Sequence, residues 1–149
     1  MRCFRAGAIA LTATLLASAA ASAQAAADKE GVRQAVLDYV EGFYEGDSTR
    51  FLRSVRAEVD KYGFSRTKSG SYEGSAFPWT NFASFAARVK SGKIKTPPNA
   101  PKQITIFEVQ DQTAAAKLTA YWGTDYFLLG KYDGKWMIRQ IIWQELPKP

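Results

Sequence analysis

The chain reads as an α+β protein, with three N-terminal helices to be packed on one face of an antiparallel sheet built mainly from the second half. Apolar residues recur at spacings of three and four from Val32 to Phe43, the period of a helix with one buried stripe. From Lys117 to Trp143 the period falls to two, and turn signals at Gly123-Thr124 and Asp133-Gly134 cut that stretch into hairpin-connected strands. No internal repeat or linker interrupts residues 24–149, which make a single domain.

Residues 1–23 have the pattern of an export signal rather than of folded structure. Arg2 and Arg5 charge its start, Ala6 to Ala20 is apolar, and Ala21-Ser22-Ala23 supplies small residues for cleavage. The apolar run is short and Ala-rich for a membrane span, and an uncleaved membrane anchor is the alternative to a cleaved leader. The expected product is periplasmic or secreted. Cys3, the chain's one cysteine, leaves with the leader, so stability rests on a packed core without disulfides. Formal charge falls from +6 to +4 once Arg2 and Arg5 are removed. Lys90, Lys93, Lys95 and Lys102 flank Pro97-Pro98 and Pro101, which marks a solvated basic loop; no recognition helix or nucleic-acid signature accompanies it.

The elements follow in order. Asp28 can cap a first helix running to about Glu45, with Val32, Ala35, Val36, Tyr39, Val40 and Phe43 as its stripe. Gly46 ends it, and Asp47 or Ser48 caps a short second helix carrying Phe51, Leu52 and Val55. Residues 59–66 form a short strand and Thr67 to Ser75 a Gly/Ser-rich loop. Pro78 to Lys90 reads as the third helix, with Gly92 after its end. Strands are expected at 103–110, 113–122, 125–132 and 135–144, with a tight turn at Asp111-Gln112 between the first two.

Two-residue turns at Gly123-Thr124 and Asp133-Gly134 pair Trp122 with Asp125, Ala120 with Phe127, Leu129 with Ile138, and Asp125 with Ile142. The inner face then holds Leu118, Ala120, Trp122, Asp125, Phe127 and Leu129, continued by Trp136, Ile138, Gln140 and Ile142. Thr105, Phe107 and Val109 join it through the turn at Asp111-Gln112. Asp125 and Gln140 are the polar exceptions, diagonal neighbours roughly 6–8 Å apart at Cβ. A carboxylate in such a place is hydrogen-bonded, raised in pKa, or open to a wet cavity; at the hairpin rim it would merely cap a turn. The other face carries Ile104, Ile106, Tyr126, Leu128, Ile141 and Trp143 among others, too apolar to be left in water, so a second copy of the chain is its expected cover, with the short tail Gln144 to Pro149 as the alternative.

The order helix, short helix, loop, helix, then a sheet ending in an aromatic strand resembles the nuclear transport factor 2-like, cystatin-like cone fold. Val36 to Asp47, Thr124 to Leu129, Asp133 to Ile138 and Ile142-Trp143 are similar, more narrowly, to the putative lumazine-binding family. The resemblance implies a curved sheet, a pocket between its concave face and the helices, and a homodimer. It spans most of the chain after the leader. Relatives often carry a histidine after the second helix, where Arg56 or a neighbour stands here, and another near Gln140; this chain has no histidine.

Without histidine, or cysteine beyond the leader, the usual soft metal sites and His-assisted nucleophiles are closed, and no cofactor site is expected. Ser69-Gly70-Ser71-Tyr72-Glu73-Gly74-Ser75 lacks the ending of a phosphate loop. Acid–base chemistry would fall to Asp125, with Tyr39 or Tyr44 as partner. Binding would use the aromatics: Tyr39, Phe43, Trp79, Trp122, Phe127 and Trp136, with Asp125 and Gln140, suit a flat hydrophobic ligand, and the same aromatics equally suit a closed core. The reading is an exported small-ligand-binding protein. An isomerase- or dehydratase-type enzyme using Asp125 and an exported protein-interaction module are the alternatives.

Overall fold

The computed structural model describes residues 8–147. Arg2, Cys3 and Arg5 of the expected leader lie outside the described residues. Among those described, no helix is long and apolar enough to cross a membrane. The order is α1 (Ala8–Glu45), α2 (Ser48–Ser54), β1 (Val55–Arg66), β2 (Tyr72–Ala76), α3 (Thr80–Lys90), β3 (Gln103–Val109), β4 (Thr113–Ala120), β5 (Gly123–Tyr132) and β6 (Lys135–Glu145). The strands form one curved, unclosed sheet in the order β2-β1-β6-β5-β4-β3, with the helices against its concave face. Neighbours are antiparallel except β1 and β6, which run parallel.

The α1 stripe is buried as its spacing requires: Val32, Val36, Tyr39 and Val40 are fully inaccessible, with Ala35 and Phe43 nearly so. Gly46 adopts φ 69°, the left-handed turn that ends a helix, and Asp47 then caps α2 by accepting from Thr49 N at 3.0 Å. Asp38 clamps α2 onto α1, taking Arg50 at 2.9 Å and Arg53 at 2.7 Å. Asp28 does not start the helix, which is already continuous before it. Its carboxylate instead accepts from Trp136 Nε1 at 2.9 Å and pairs with Lys131 at 2.5 Å, tying α1 to the β5–β6 hairpin.

The expected Gly/Ser-rich loop contains a strand. Residues 72–76 of β2 pair with 62–66 of β1, and Gly74 permits it: a Cβ there would lie 2.4 Å from the Tyr62 hydroxyl. The β4–β5 turn falls at Tyr121-Trp122 rather than Gly123-Thr124, so Leu118 faces Asp125 and Ala120 faces Gly123. Gly123 is spent on closeness to β6, since a Cβ there would sit 2.0 Å from the Gln144 carbonyl oxygen. The slip is even-numbered, so Leu118, Ala120, Asp125 and Phe127 keep the inner face.

Two bulges change faces where the turn-based register did not foresee it. On the β5–β6 ladder, Leu129 pairs with Ile138 as expected, but Leu128 then pairs with Gln140. The extra residue, Arg139, turns Gln140 and Ile142 outward and brings Ile141 and Trp143 inward. On β3, a bulge at Phe107 sends Thr105 and Phe107 outward and Ile104 and Ile106 against the core, although the Asp111-Gln112 turn is where it was expected. The convex face therefore exposes Tyr62, Phe64, Phe107, Tyr126, Leu128 and Ile142.

Candidate functional site

Between the concave sheet and α3 lies a cavity of about 290 Å³. Phe43 of α1, Phe85 of α3, Trp143 of β6 and Phe77, just after β2, form aromatic walls. Tyr121 and Trp122 enter from the β4–β5 turn, and Ile94 closes the side. One charged side chain lines it: Lys61 of β1. Alternation along β1 aims Lys61 inward between Val59 and Gly63, while Tyr62 and Phe64 point out.

Lys61 is held from behind. Its Nζ donates to the Tyr39 hydroxyl at 2.7 Å, and that hydroxyl donates to Asp125 Oδ1 at 2.9 Å. Lys61 Nζ lies 4.0 Å from the same oxygen. Trp122 Nε1 fills the other side of the carboxylate, donating to Oδ2 at 2.6 Å. Asp125 has no exposed surface and does not line the cavity; it is a satisfied carboxylate supporting the wall. Around the amine stand the rings of Phe77, Phe43 and Tyr39 at 4.6, 4.8 and 5.1 Å from Nζ, an arrangement that attracts an ammonium through the ring faces.

Burial sets the protonation behaviour. It pushes Lys61 down to about 8 against the pull of the Asp125 charge. It lifts Asp125 above its ordinary value, although Lys61, Trp122 and Tyr39 all pull downward. Tyr39 is held well above the usual phenol value, first by burial and then by the Asp125 charge. Both members of the ion pair are thus driven toward their neutral forms, through a hydroxyl that touches both.

Tyr44 is not a second partner for Asp125. Its hydroxyl donates to Pro101 O at 2.6 Å and accepts from Tyr121 N at 3.1 Å, pinning the turn that presents Trp122. Of the other residues singled out in the sequence, Tyr39 and Asp125 are bonded together, and Phe43 and Trp122 line the cavity. Phe127 is buried behind them, 5.0 Å from the Tyr39 ring. Trp136 lies elsewhere, bound to Asp28 and resting on Gly31. Trp79 packs on Phe82 and borders a separate groove beside Leu52 and Val55. Gln140 faces outward because of the Arg139 bulge. Sequence reasoning missed Lys61 and Trp143. Lys61 had a readable signal, an alternating run in which it shares a face with Val59 and Gly63; Trp143 had none, since only the bulge turns it inward. Gly63 makes room for that indole, as a Cβ there would lie 1.8 Å from Trp143 Nε1. That nitrogen is buried without a hydrogen-bond partner.

A six-stranded curved sheet wrapped around three helices, with a cavity at its concave end, defines a nuclear transport factor 2-like, cystatin-like protein. A crystal structure of such a protein from Shewanella baltica OS155 superposes with a TM-score of 0.65 at 20% identity, over 83% of this chain and 97% of that one. Another, from Novosphingobium aromaticivorans, gives 0.62 at 12% identity, covering 90% and 92%. A third, from Silicibacter pomeroyi DSS-3, gives 0.58 at 15% identity, covering 84% and 98%. At these identities the likeness concerns the fold alone. The family model described as putative lumazine-binding matches residues 27–144, and the chain belongs to that family. Among curated proteins none matches it.

Proposed function

We propose that this protein binds a small, flat, largely apolar molecule in the cavity between the sheet and α3, after export, and as a homodimer. The observation that carries the binding reading is the cavity itself: about 290 Å³, walled by aromatic rings, with one amine at its base. That volume suits a mono- or bicyclic molecule, near the lower end of ligand sites at roughly 300 Å³. Membership of a family described as putative lumazine-binding supports a small-ligand role. Binding is favoured over acid–base catalysis by Asp125, because both of its oxygens are occupied and neither reaches the cavity. Export rests on the leader-like composition of residues 1–23. The homodimer rests on the convex face, where Phe107, Leu128 and Ile142 are each at least half exposed and Tyr126 stacks on Phe107 at 6.5 Å.

Native mass spectrometry of protein purified from its own exported fraction tests all three. The expected spectrum is a dimer of chains lacking the leader, carrying a reproducible small adduct. A dimer that stays empty, and whose tryptophan emission is unmoved by any of a panel of flat aromatic compounds, would sink the binding reading.

A further inference from the structure

We infer that Lys61 is a carbonyl-trapping nucleophile, and that the cavity takes a small aromatic aldehyde or ketone as a reversible imine on its Nζ. The inference rests on reading the cavity as a ligand site and adds the chemistry of its one reactive group. Lys61 is the charged side chain that lines the cavity, and it is nearly buried, at 7% exposure. One Nζ hydrogen is committed to the Tyr39 hydroxyl at 2.7 Å, and the remaining N–H directions meet ring faces and the cavity. The titratable groups around it are Tyr39 from α1, Asp125 from β5 and, lining the same cavity, Tyr121 from the β4–β5 turn; the other side chains beside it are Phe43, Phe77, Phe82 and Trp143.

The Lys61–Tyr39–Asp125 chain supplies the proton path that such an amine needs. Lys61 passes one proton to the Tyr39 oxygen as Tyr39 passes its own to Asp125 Oδ1, leaving a neutral amine, a neutral phenol and a carboxylic acid. An apolar pocket lowers the cost of that redistribution, since it erases two buried charges. The amine lone pair then bonds to the carbonyl carbon as the C=O π electrons move to oxygen, and that oxygen takes up one of the two hydrogens of the attacking nitrogen as the carbinolamine forms. Loss of that oxygen as water completes the C=N bond: Asp125 returns its proton through Tyr39 as the water's second hydrogen, and the nitrogen's last hydrogen passes back through Tyr39 to the Asp125 carboxylate. Amine plus carbonyl gives imine plus one water, with no oxidant or reductant required. The aromatic walls hold the ring of the ligand. A surface lysine has none of these features. With Lys61 near 8, its neutral fraction at neutral pH exceeds that of an ordinary lysine by on the order of a hundredfold.

The experiment treats the purified chain with naphthaldehyde and cyanoborohydride, which fixes an imine as a stable amine, and maps the adduct by peptide mass spectrometry. Binding of naphthylmethanol, which has the same ring but no carbonyl, is followed in parallel by tryptophan fluorescence. The expected result is one adduct at Lys61, with a labelling rate half-maximal near pH 8, absent in Lys61→Met. Tyr39→Phe, which keeps the ring and removes the relay, should slow labelling at Lys61 by about tenfold or more while naphthylmethanol still binds. Labelling spread over exposed lysines, or an unlabelled Lys61 in protein that binds naphthylmethanol, overturns the imine and leaves the ligand site standing. Failure to bind naphthylmethanol as well overturns both readings.

Discussion

The coupling between Lys61 and Asp125 can be predicted in magnitude and measured directly. The charges lie 4.0 Å apart, with side-chain exposures of 7% and 0%. At an effective dielectric of about 20, suited even to buried sites, their attraction is about 4 kcal/mol. Replacing one member strands the other away from water, a loss of roughly 3–5 kcal/mol, whereas replacing both removes the debt together with the attraction. Asp125→Asn and Lys61→Met should therefore each destabilise by about 3 kcal/mol, and the double variant by little more than either single one. The coupling energy expected from the cycle is about 2–4 kcal/mol. Urea denaturation at about pH 6 measures it, a condition in which an amine of pKa near 8 is charged in the wild type. Because Asp125 is inaccessible and Lys61 nearly so, added salt should change the coupling little. A coupling below about 0.5 kcal/mol, or one that fades with salt as exposed pairs do, would refute the buried relay.

Other consequences are open to the same kind of check. Lys61 titrates near 8 when folded and about 10.4 when unfolded, so between those values the unfolded chain holds more protons and stability should climb with pH. Above about pH 10 the raised Tyr39 reverses the trend, and Lys61→Met should flatten the climb in denaturation midpoints between pH 8 and 10. Gly63→Ala drives a methyl into the Trp143 indole and should cost about 1–3 kcal/mol, with a shift in tryptophan emission as the cavity wall moves. Asp28, held down at about 2 chiefly by Lys131, contributes stability above its unfolded value of about 3.9 that is lost as pH falls through 2; Asp28→Asn should remove that acid dependence in melting curves. Tyr126→Asp puts a carboxylate on the convex face and should break the proposed dimer into monomers on a sizing column without loss of helical signal.

Much of the fold was readable because its signals are local. The α1 stripe, the glycine at 46, the cap at Asp47 and the turn at Asp133-Gly134 each depend on a few neighbouring residues. Asp125 was also readable as an acid among apolar neighbours, since an even slip in register leaves a residue on its face. Gln140 was not, because one extra residue at Arg139 reverses every side chain after it, and nothing in the local sequence marks that bulge. The Gly/Ser-rich segment failed for a related reason: β2 forms because Gly74 fits under Tyr62, a cross-strand fit rather than a propensity.

The sequence by itself determined the fold class, the inward α1 stripe that carries Tyr39, the presence of an acid at 125 among apolar neighbours, and the lack of any histidine. Those follow from periodicity and composition, which short-range sterics and side-chain chemistry enforce wherever the chain folds. Only the tertiary structure decided that a lysine faces the cavity, that Tyr39 joins it to Asp125, and that Trp143 rather than Trp136 supplies a wall. Tyr39 and Asp125 alone are eighty-six positions apart, and the set meets through strand pairing and the β5–β6 bulge. Contacts of that kind depend on how whole elements register against each other, and a one-residue change in register is enough to replace one site by another.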